Sequence, residues 1–199
     1  MSPIRHRVLY RLTTAFNTVV VEQTGKRFDL AVAAATFATW HPTDYLTGYS
    51  WDAITAGCLF HAAGPPDRLL LLGRAGGTVA RQLRCLLPDM HLDSIEIDPG
   101  VVELGEAYRA LQATGVQVHI GDAYRFLRET EQTYDVIADD VYLTGYDDVE
   151  RPRLPSPDWI RLIRDRLTPG GVALANFVTG DHHDPIFRDA RSVFQRTFP

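Results

Sequence analysis

The stretch Leu69-Leu70-Leu71-Leu72-Gly73-Arg74-Ala75-Gly76-Gly77-Thr78 decides the fold of this chain. Its apolar half has the composition of a buried strand, and glycines allow the tight turn that leads from a strand into a helix. The first turn of such a helix has free N–H groups that can approach a ligand. Because a Gly-rich turn is also common as a plain strand-to-helix connection, the neighbouring segments must decide between the two interpretations.

Four further apolar runs follow, at 92–97, 116–120, 134–138 and 171–177. Helices are predicted between and after them, at 77–87, 99–111, 123–129, 157–167 and 185–195. Ser156 and Pro157 are expected to start the fourth helix, and Pro169-Gly170-Gly171 to follow its end. Apolar strands alternating with helices indicate an α/β fold with a doubly wound, mostly parallel, Rossmann-like sheet.

The first 62 residues have a different pattern. Residues 17–32 contain two β-rich segments around a Thr-Gly-Lys turn, which predicts a β-hairpin. A loop is expected at 40–49 and a helix at 50–63, with Ser50 as a candidate N-cap. We divide the chain into 1–62 and 63–199, packed as one unit. The sequence ends soon after the last helix, so a further antiparallel edge would be short, cut away or completed by another chain.

Composition limits the classes of partner. The chain has 199 residues, a net charge of −5 and two cysteines without metal-ligand spacing. The negative charge disfavours general binding to nucleic acid or to an anionic membrane. The chain has neither an apolar run long enough to span a bilayer nor a recognisable secretory signal. These observations predict a cytoplasmic protein with reduced thiols.

Acidic residues stand at three successive strand ends, where parallel sheets bind ligands. Glu96 lies about 20 residues after the glycines, the position from which a carboxylate can accept both hydrogens of a ribose diol. Asp98 is expected to cap the next helix. Asp122 can cap the helix at 123–129 and also accept from an adenine amine. Asp139 and Asp140 follow the next strand, and because adjacent strand residues point to opposite sides, one of them is expected to enter the site.

The positions of the histidines in the sequence do not predict a metal site. His119 lies within a strand and is expected to be a packed core residue. His182 and His183 are adjacent, and without further clustered ligands they do not indicate a metal site. A second acidic group, Asp147, Asp148 and Glu150, follows Asp140 and could either add to the same crevice or be a solvated loop.

Together, segments 73–77, Glu96-Ile97-Asp98, Gly121-Asp122 and 134–137 leading to Asp140 resemble the spermidine synthase (polyamine aminopropyltransferase) family, within the class I S-adenosylmethionine-dependent methyltransferase fold. The resemblance extends from the hairpin near residue 17 to about residue 177. It implies S-adenosylmethionine or its decarboxylated form as the nucleotide, no metal, a small cationic amine as acceptor, and a homodimer. The implied reaction is transfer of a group from a sulfonium to that amine.

The resemblance also implies residue roles. Glu96 would bind the ribose hydroxyls, Asp122 the adenine amine, and Asp140 would orient and deprotonate the attacking amine. The residues implied to contact the nucleotide are Gly73, Ala75, Gly76, Gly77, Glu96, Ile97, Asp122, Ala123 and Asp139. Those implied to contact the acceptor are Tyr142, Trp51 and Asp52.

Three departures from the family pattern keep other functions open. Ala75 stands where the family has an aspartate that holds the aminopropyl amine, residues 141–146 replace the family's Asp-Pro-x-Gly-Pro-Ala, and Ser50-Trp51-Asp52 matches Tyr-His/Gln-Glu only loosely. The chain could therefore be an aminopropyltransferase, or a small-molecule methyltransferase that uses intact S-adenosylmethionine with the donor carboxylate near Arg74. Arg74 is otherwise expected to be an exposed, solvated loop residue. The third alternative is a non-catalytic nucleotide-binding or interaction module.

Overall fold

A four-stranded antiparallel sheet begins the chain in the computed structural model, which describes residues 6–32, 35–108, 115–144, 149–151, 156–178 and 184–198. Its strands, in spatial order, are β1 His6–Thr13, β2 Thr18–Thr24, β3 Arg27–Val32 and β4 Ala35–Trp40. The predicted hairpin is the β2–β3 pair. The outer strands β1 and β4 were not predicted from the sequence. Seven of the eight residues of β1 are exposed, so that strand lacks the alternation of a half-buried strand.

The helix predicted at 50–63 is shorter than expected. Helix α1 spans Ser50–Gly57, and a 3₁₀ turn at Cys58–Phe60 follows it. The N-cap position belongs to Tyr49, without a side-chain hydrogen bond, so the prediction of Ser50 as the cap was wrong. The carboxylate of Asp52 instead orders the preceding loop, because it accepts hydrogen bonds from the N–H groups of Thr47 and Gly48.

The second half of the chain forms the predicted parallel sheet. Its elements, in chain order, are β5 Arg68–Leu72, α2 Thr78–Leu86, β6 His91–Glu96, α3 Pro99–Ala107, β7 Gln117–Ile120, α4 Ala123–Glu129, β8 Tyr134–Asp139, the short pair β9 Leu143–Thr144 and β10 Val149–Glu150, α5 Pro157–Arg164, β11 Leu167–Ala175 and α6 Pro185–Thr197. Five strands pair in parallel in the order β11-β8-β5-β6-β7. The chain order reverses between β5 and β8, which is where such sheets open a ligand crevice.

Three helix caps were correctly predicted, and the end of helix α5 was not. The side chains of Asp98, Asp122 and Ser156 accept hydrogen bonds from the first turns of α3, α4 and α5. Strand β11 begins at Leu167, so the Pro-Gly-Gly segment at 169–171 lies inside the strand, where its pairing with β8 is irregular. A proline is tolerated there because β11 is at the edge of the described sheet and needs no N–H on its outer side.

Strand β5 divides the core between the two faces of the sheet. Leu69 and Leu71 pack with α1 and α2, whereas Leu70 and Leu72 pack with α4 and α5. This follows from the alternation of side chains along a strand. Among the described helices, none is both long and apolar enough to span a bilayer.

The N-terminal sheet packs directly against the Gly-rich loop and α3. Val19 and Val21 share an apolar cluster with Val101 and Leu104. The Thr39 N–H donates to Thr78 Oγ1 at 2.8 Å, which ties β4 to the start of α2. The division of the chain at residue 62 stays a prediction.

Candidate active site

Two adjoining cavities lie at the carboxyl ends of β5, β6 and β8. The larger has a volume of about 420 Å³, within the range of small-molecule sites. The smaller has a volume of about 130 Å³. Gly73, Glu96 and Tyr142 line both cavities and form the boundary between them. A ligand of two parts could therefore place one part in each.

Glu96 joins β6 to the Gly-rich loop. Its Oε2 accepts from the Ala75 N–H at 2.8 Å, and its Oε1 accepts from the Asp98 N–H at 3.1 Å. Burial raises the pKa of Glu96, and these backbone donors oppose that rise. Each carboxylate oxygen still has a second acceptor position, so Glu96 can hold the loop and a ligand hydroxyl together.

The Gly-rich loop is shaped by two left-handed residues at its start. Gly73 has φ +78°, and a Cβ there would lie 2.2 Å from the Asp140 carbonyl oxygen. Ala75 has φ +46° and lines the smaller cavity. Gly76 faces the N-terminal sheet instead, since a Cβ there would lie 2.5 Å from Ala38 Cβ. Gly77 occupies the N-cap of α2. Of the four predicted loop contacts, Gly73 and Ala75 therefore face a cavity.

Arg74 is buried, and the expectation of a solvated loop arginine was wrong. Its side chain is 1% exposed, and its Nη2 lies 3.9 Å from Glu106 Oε1 on α3. Its Nε and Nη1 have no hydrogen-bond partner within the described parts of the chain. Burial lowers the pKa of Arg74. Because the side chain turns toward α3 and lies outside both cavities, it is not placed to bind a donor carboxylate.

The larger cavity has the lining expected for a nucleoside site. Ile97, Asp122 and Ala123 all line it, as the sequence predicted for the nucleotide. Asp122 is exposed at its edge and caps α4 through the Arg125 N–H at 2.8 Å. Apolar and aromatic side chains complete the wall, among them Tyr124 and Trp159, whose rings stack at 5.4 Å.

Asp139 and Asp140 point to different sides of β8, so Asp139 lines the larger cavity and Asp140 the smaller. The expectation that one of the two would enter the site was therefore too narrow, because each of them reaches a cavity. Asp139 is buried beside the larger cavity. Its Oδ2 accepts from Trp159 Nε1 at 2.7 Å and pairs with Arg151 Nη2 at 2.6 Å. Its carboxylate is thus already held by the protein, and its predicted contact with the nucleotide stays a prediction.

Asp140 lies deep in the smaller cavity with part of its surface open to it. Its Oδ1 accepts from Asn176 Nδ2 at 2.8 Å, and its N–H donates to the Leu72 carbonyl at 2.8 Å. Burial raises the pKa of Asp140 to about 7, and hydrogen bonds from Asn176 and Trp51 oppose the rise. A carboxyl group that titrates near neutral pH is suited to exchange a proton with a ligand.

The three predicted acceptor contacts occupy different places. Trp51 lines the smaller cavity, and Tyr142 lines both. The Tyr142 hydroxyl donates to the Asn176 carbonyl at 3.0 Å and accepts from the Val178 N–H at 2.8 Å. The structure places Asp52 outside both cavities, where its carboxylate accepts from Gln82 Nε2 at 2.6 Å. Asp52 lies about 100° around α1 from Trp51, and its carboxylate faces the loop before the helix instead.

The cavity-lining residues that sequence reasoning missed include Asn17, Arg151 and Asn176. Asn176 follows β11, so the rule that sites form at strand ends could have found it. Asn17 reaches the smaller cavity because its Nδ2 donates to Asp98 Oδ2 at 2.8 Å. That contact joins positions 81 residues apart, and no local pattern indicates it.

Metal-ligating side chains are not clustered in the described parts of the chain, where no group of three or more His, Cys, Asp or Glu could hold an ion. His119 is half-buried rather than a core residue. Its ring lies 4.9 Å from Phe126, and its Nε2 is 3.2 Å from Asp93 Oδ1. His182, His183, Asp147 and Asp148 lie outside the described residues.

Comparison with known proteins tests the family resemblance. Residues 53–198 match the model of the family described as the spermine/spermidine synthase domain. The chain belongs to the spermine/spermidine synthase family. This confirms the resemblance that the sequence motifs indicated.

Individual members of the spermine/spermidine synthase family agree with the match. The chain is 33% identical over 144 residues to the polyamine aminopropyltransferase of Vibrio vulnificus, covering 70% of this chain and 46% of that protein. It is 28% identical over 134 residues to the spermidine synthase of Schizosaccharomyces pombe, covering 62% and 42%. The chain thus spans less than half the length of these two relatives.

The spermidine synthase of Thermotoga maritima has the same fold. Its crystal structure superposes with a TM-score of 0.75 at 17% identity, covering 97% of this chain and 65% of that one. This similarity includes the N-terminal sheet, which the family model, beginning at residue 53, does not cover.

Proposed function

We propose that this chain is the catalytic part of an aminopropyltransferase that uses decarboxylated S-adenosylmethionine as donor and an amine as acceptor. One observation carries the proposal. Asp140, a carboxyl group with a pKa raised to about 7, lies in a small cavity that adjoins a nucleoside-sized cavity at Glu96. Membership of the spermine/spermidine synthase family supports the same reaction.

The larger cavity fits the nucleoside half of the donor. Glu96 has acceptor positions left for the ribose hydroxyls, since each of its oxygens holds one backbone N–H. Ile97 and Ala123 offer apolar contact to an adenine ring, and Asp122 lies at the cavity edge with a free acceptor position for its amine.

The charge of the smaller cavity fits a cationic tail. Among the described residues that line it, the charged side chains are Glu96 and Asp140, both acidic. A donor carboxylate would need a cation, but Arg74 lies outside both cavities, and Arg151 is paired with Asp139 and the Asn176 carbonyl. The decarboxylated donor is therefore favoured over intact S-adenosylmethionine, and aminopropyl transfer over methyl transfer.

Asp140 would act on the acceptor amine. In its ionised form it accepts a proton from the amine, whose lone pair is then available to attack. The new N–C bond forms as the S–C bond to the aminopropyl group breaks, and the sulfonium keeps the bonding electrons to leave as a neutral thioether. Much of the rate enhancement would come from holding the two reactants together. The cytoplasmic location and the homodimer stay predictions.

Ligand binding and turnover test the proposal separately. We expect decarboxylated S-adenosylmethionine and methylthioadenosine to raise the melting temperature, and intact S-adenosylmethionine to raise it less. The variant Asp140→Asn should lose at least about a hundredfold in transfer rate while still binding methylthioadenosine. Asp158→Asn, at an exposed acid on α5, is the control. Full activity of Asp140→Asn would remove Asp140 from the mechanism, and absence of transfer to any amine would contradict the proposed function.

A further inference from the structure

Arg151 lies directly after β10 and connects the ends of two strands of the parallel sheet. Its Nη2 pairs with Asp139 Oδ2 at 2.6 Å at the end of β8, and its Nη1 donates to the Asn176 carbonyl at 2.5 Å, just after β11. A guanidinium group can bind two acceptors in this way because its N–H donors form a rigid fork. One side chain therefore joins the β9–β10 pair to the strand ends beside Asp140.

The contacts of Arg151 are shielded from water. The side chains of Arg151 and Asp139 are 6% and 0% exposed. The ring centres of Tyr142 and Phe177 lie 5.3 Å and 4.8 Å from the guanidinium carbon, within the range of cation–π contacts. Because charges interact more strongly where water is excluded, this ion pair affects a neighbouring titratable group more than an exposed pair would.

The neighbouring titratable group is Asp140. It follows Asp139 directly, and an unpaired Asp139 carboxylate would disfavour ionisation of Asp140. Burial and the charge of Asp139 raise the pKa of Asp140, whereas the Asn176 hydrogen bond and the charge of Arg151 lower it. The other titratable side chains of the described lining of the smaller cavity are Glu96 and Tyr142.

Arg151 also reaches Asp140 through Asn176. Asn176 Nδ2 donates to Asp140 Oδ1 at 2.8 Å. The carbonyl of the same residue accepts from Arg151 and from the Tyr142 hydroxyl. Arg151 lines the larger cavity, whereas Asp140 lines the smaller. Its influence on the acid therefore passes through other residues of the protein.

We infer that Arg151 is a positioning residue for Asp140, because it offsets the charge of Asp139 and fixes the backbone of Asn176. The consequence for turnover rests on the proposed function and deepens it. The consequence for the ionisation of Asp140 holds in the protein without ligands and can be measured there.

Charge is tested by a cycle of variants, with kcat/KM for the acceptor measured at saturating donor. Arg151→Met should move the acid limb of the pH profile up by about one unit, which lowers activity about fivefold at pH 7 and little at pH 9.5. Asp139→Asn should move the limb down by about one unit. The double variant should return it to within about 0.3 unit of the original protein.

The cycle remains decisive if one variant does not fold. Arg151→Met leaves a buried carboxylate without its cation, which is strongly destabilising. Asp139→Asn and the double variant leave no such carboxylate, and they differ only in the charge and fork of Arg151. The limb should lie about one unit lower in Asp139→Asn than in the double variant.

Arg151→Lys tests the second part of the inference. Lysine keeps the positive charge, but its compact ammonium group cannot reproduce the guanidinium fork. The limb should stay within about 0.3 unit of the original, while kcat at pH 9.5 falls at least about threefold. An unchanged kcat would show that the fork does not position Asp140.

The matched control is the exposed pair of Arg164 and Asp165, whose Nη2 and Oδ1 lie 2.8 Å apart. Because solvent and salt screen exposed charges, Arg164→Met and the double variant Arg164→Met, Asp165→Asn should both keep the original pH profile.

Carboxyl-carbon NMR titration of the protein without ligands gives a readout that needs no turnover, with Asp140→Asn assigning the signal. The pKa of Asp140 should be highest in Arg151→Met and lowest in Asp139→Asn. Equal values across the cycle would overturn the inference and leave the proposed function in place. Absence of transfer to any amine would overturn the proposed function, and the NMR order would still decide the role of Arg151.

Discussion

Asn176 holds the carboxyl group of Asp140, with Asn176 Nδ2 donating to Asp140 Oδ1 at 2.8 Å. The backbone of Asn176 is fixed in turn. Its N–H donates to the Asp139 carbonyl at 2.9 Å, and its carbonyl accepts from the Tyr142 hydroxyl at 3.0 Å. The end of β11 therefore sets the orientation of the acid at the end of β8.

Replacing Asn176 by Leu should move the pH dependence of catalysis. The Asn176 hydrogen bond lowers the pKa of Asp140 and so opposes the effect of burial. Its loss should therefore shift the acid limb of the kcat/KM profile to higher pH by about one unit. Activity near pH 7 should fall and largely recover at pH 9. Asn176→Gln, which keeps an amide donor, should restore part of the original profile. An unchanged profile for Asn176→Leu would show that Asn176 does not position Asp140.

The raised pKa of Asp140 also predicts how stability depends on pH. Between its ordinary value of 3.8 and about 7, the folded state binds more protons at Asp140 than the unfolded state. Its contribution to stability therefore falls as the pH rises through that range. Asp140→Asn should melt at least about 3 °C above the original protein at pH 8, with the difference vanishing near pH 4. Melting curves from pH 4 to pH 8 would measure this, and a difference that does not vary with pH would contradict it.

Glu96 should control nucleoside affinity. In Glu96→Gln, the amide NH₂ would face one of two backbone donors, the N–H of Ala75 or of Asp98, and disturb the loop. We expect calorimetric titration to show methylthioadenosine binding weakened by about tenfold to a hundredfold. Glu103→Gln, at an exposed position of α3, is the control. Equal dissociation constants for both variants would remove Glu96 from the ligand site.

Alanine substitutions at two glycines with the same backbone conformation can distinguish the effect of backbone strain from the effect of a steric clash. Gly73 has φ +78° and Gly48 has φ +76°, but only at Gly73 would a Cβ meet protein, 2.2 Å from the Asp140 carbonyl oxygen. Alanine at either position should destabilise the fold by about 1–2 kcal/mol, because a residue with a Cβ is strained in the left-handed conformation. We expect Gly73→Ala to lower the melting temperature by at least about 4 °C more than Gly48→Ala. Similar decreases would mean that the loop can move away from Asp140.

Some of the site could be predicted from the sequence because its chemistry is local. Strands β5 and β8 are buried on both faces and read as continuous apolar runs. The acids that follow such strands must gather at one edge, which is why Glu96, Asp122 and Asp140 were found. Strand β1 could not be predicted in this way, because its residues are almost all exposed and form no apolar run.

The sequence by itself determined the parallel sheet, the Gly-rich turn and the acids at its carboxyl edge, since apolar periodicity and turn chemistry act between near neighbours. The tertiary structure alone decided that Arg74 is buried against α3, that Asp52 serves its own loop, and that Asn17 and Asn176 reach the smaller cavity. It also decided the pKa of Asp140. Desolvation and hydrogen bonding depend on which distant segments lie within a few ångströms, and spacing along the chain does not encode that distance.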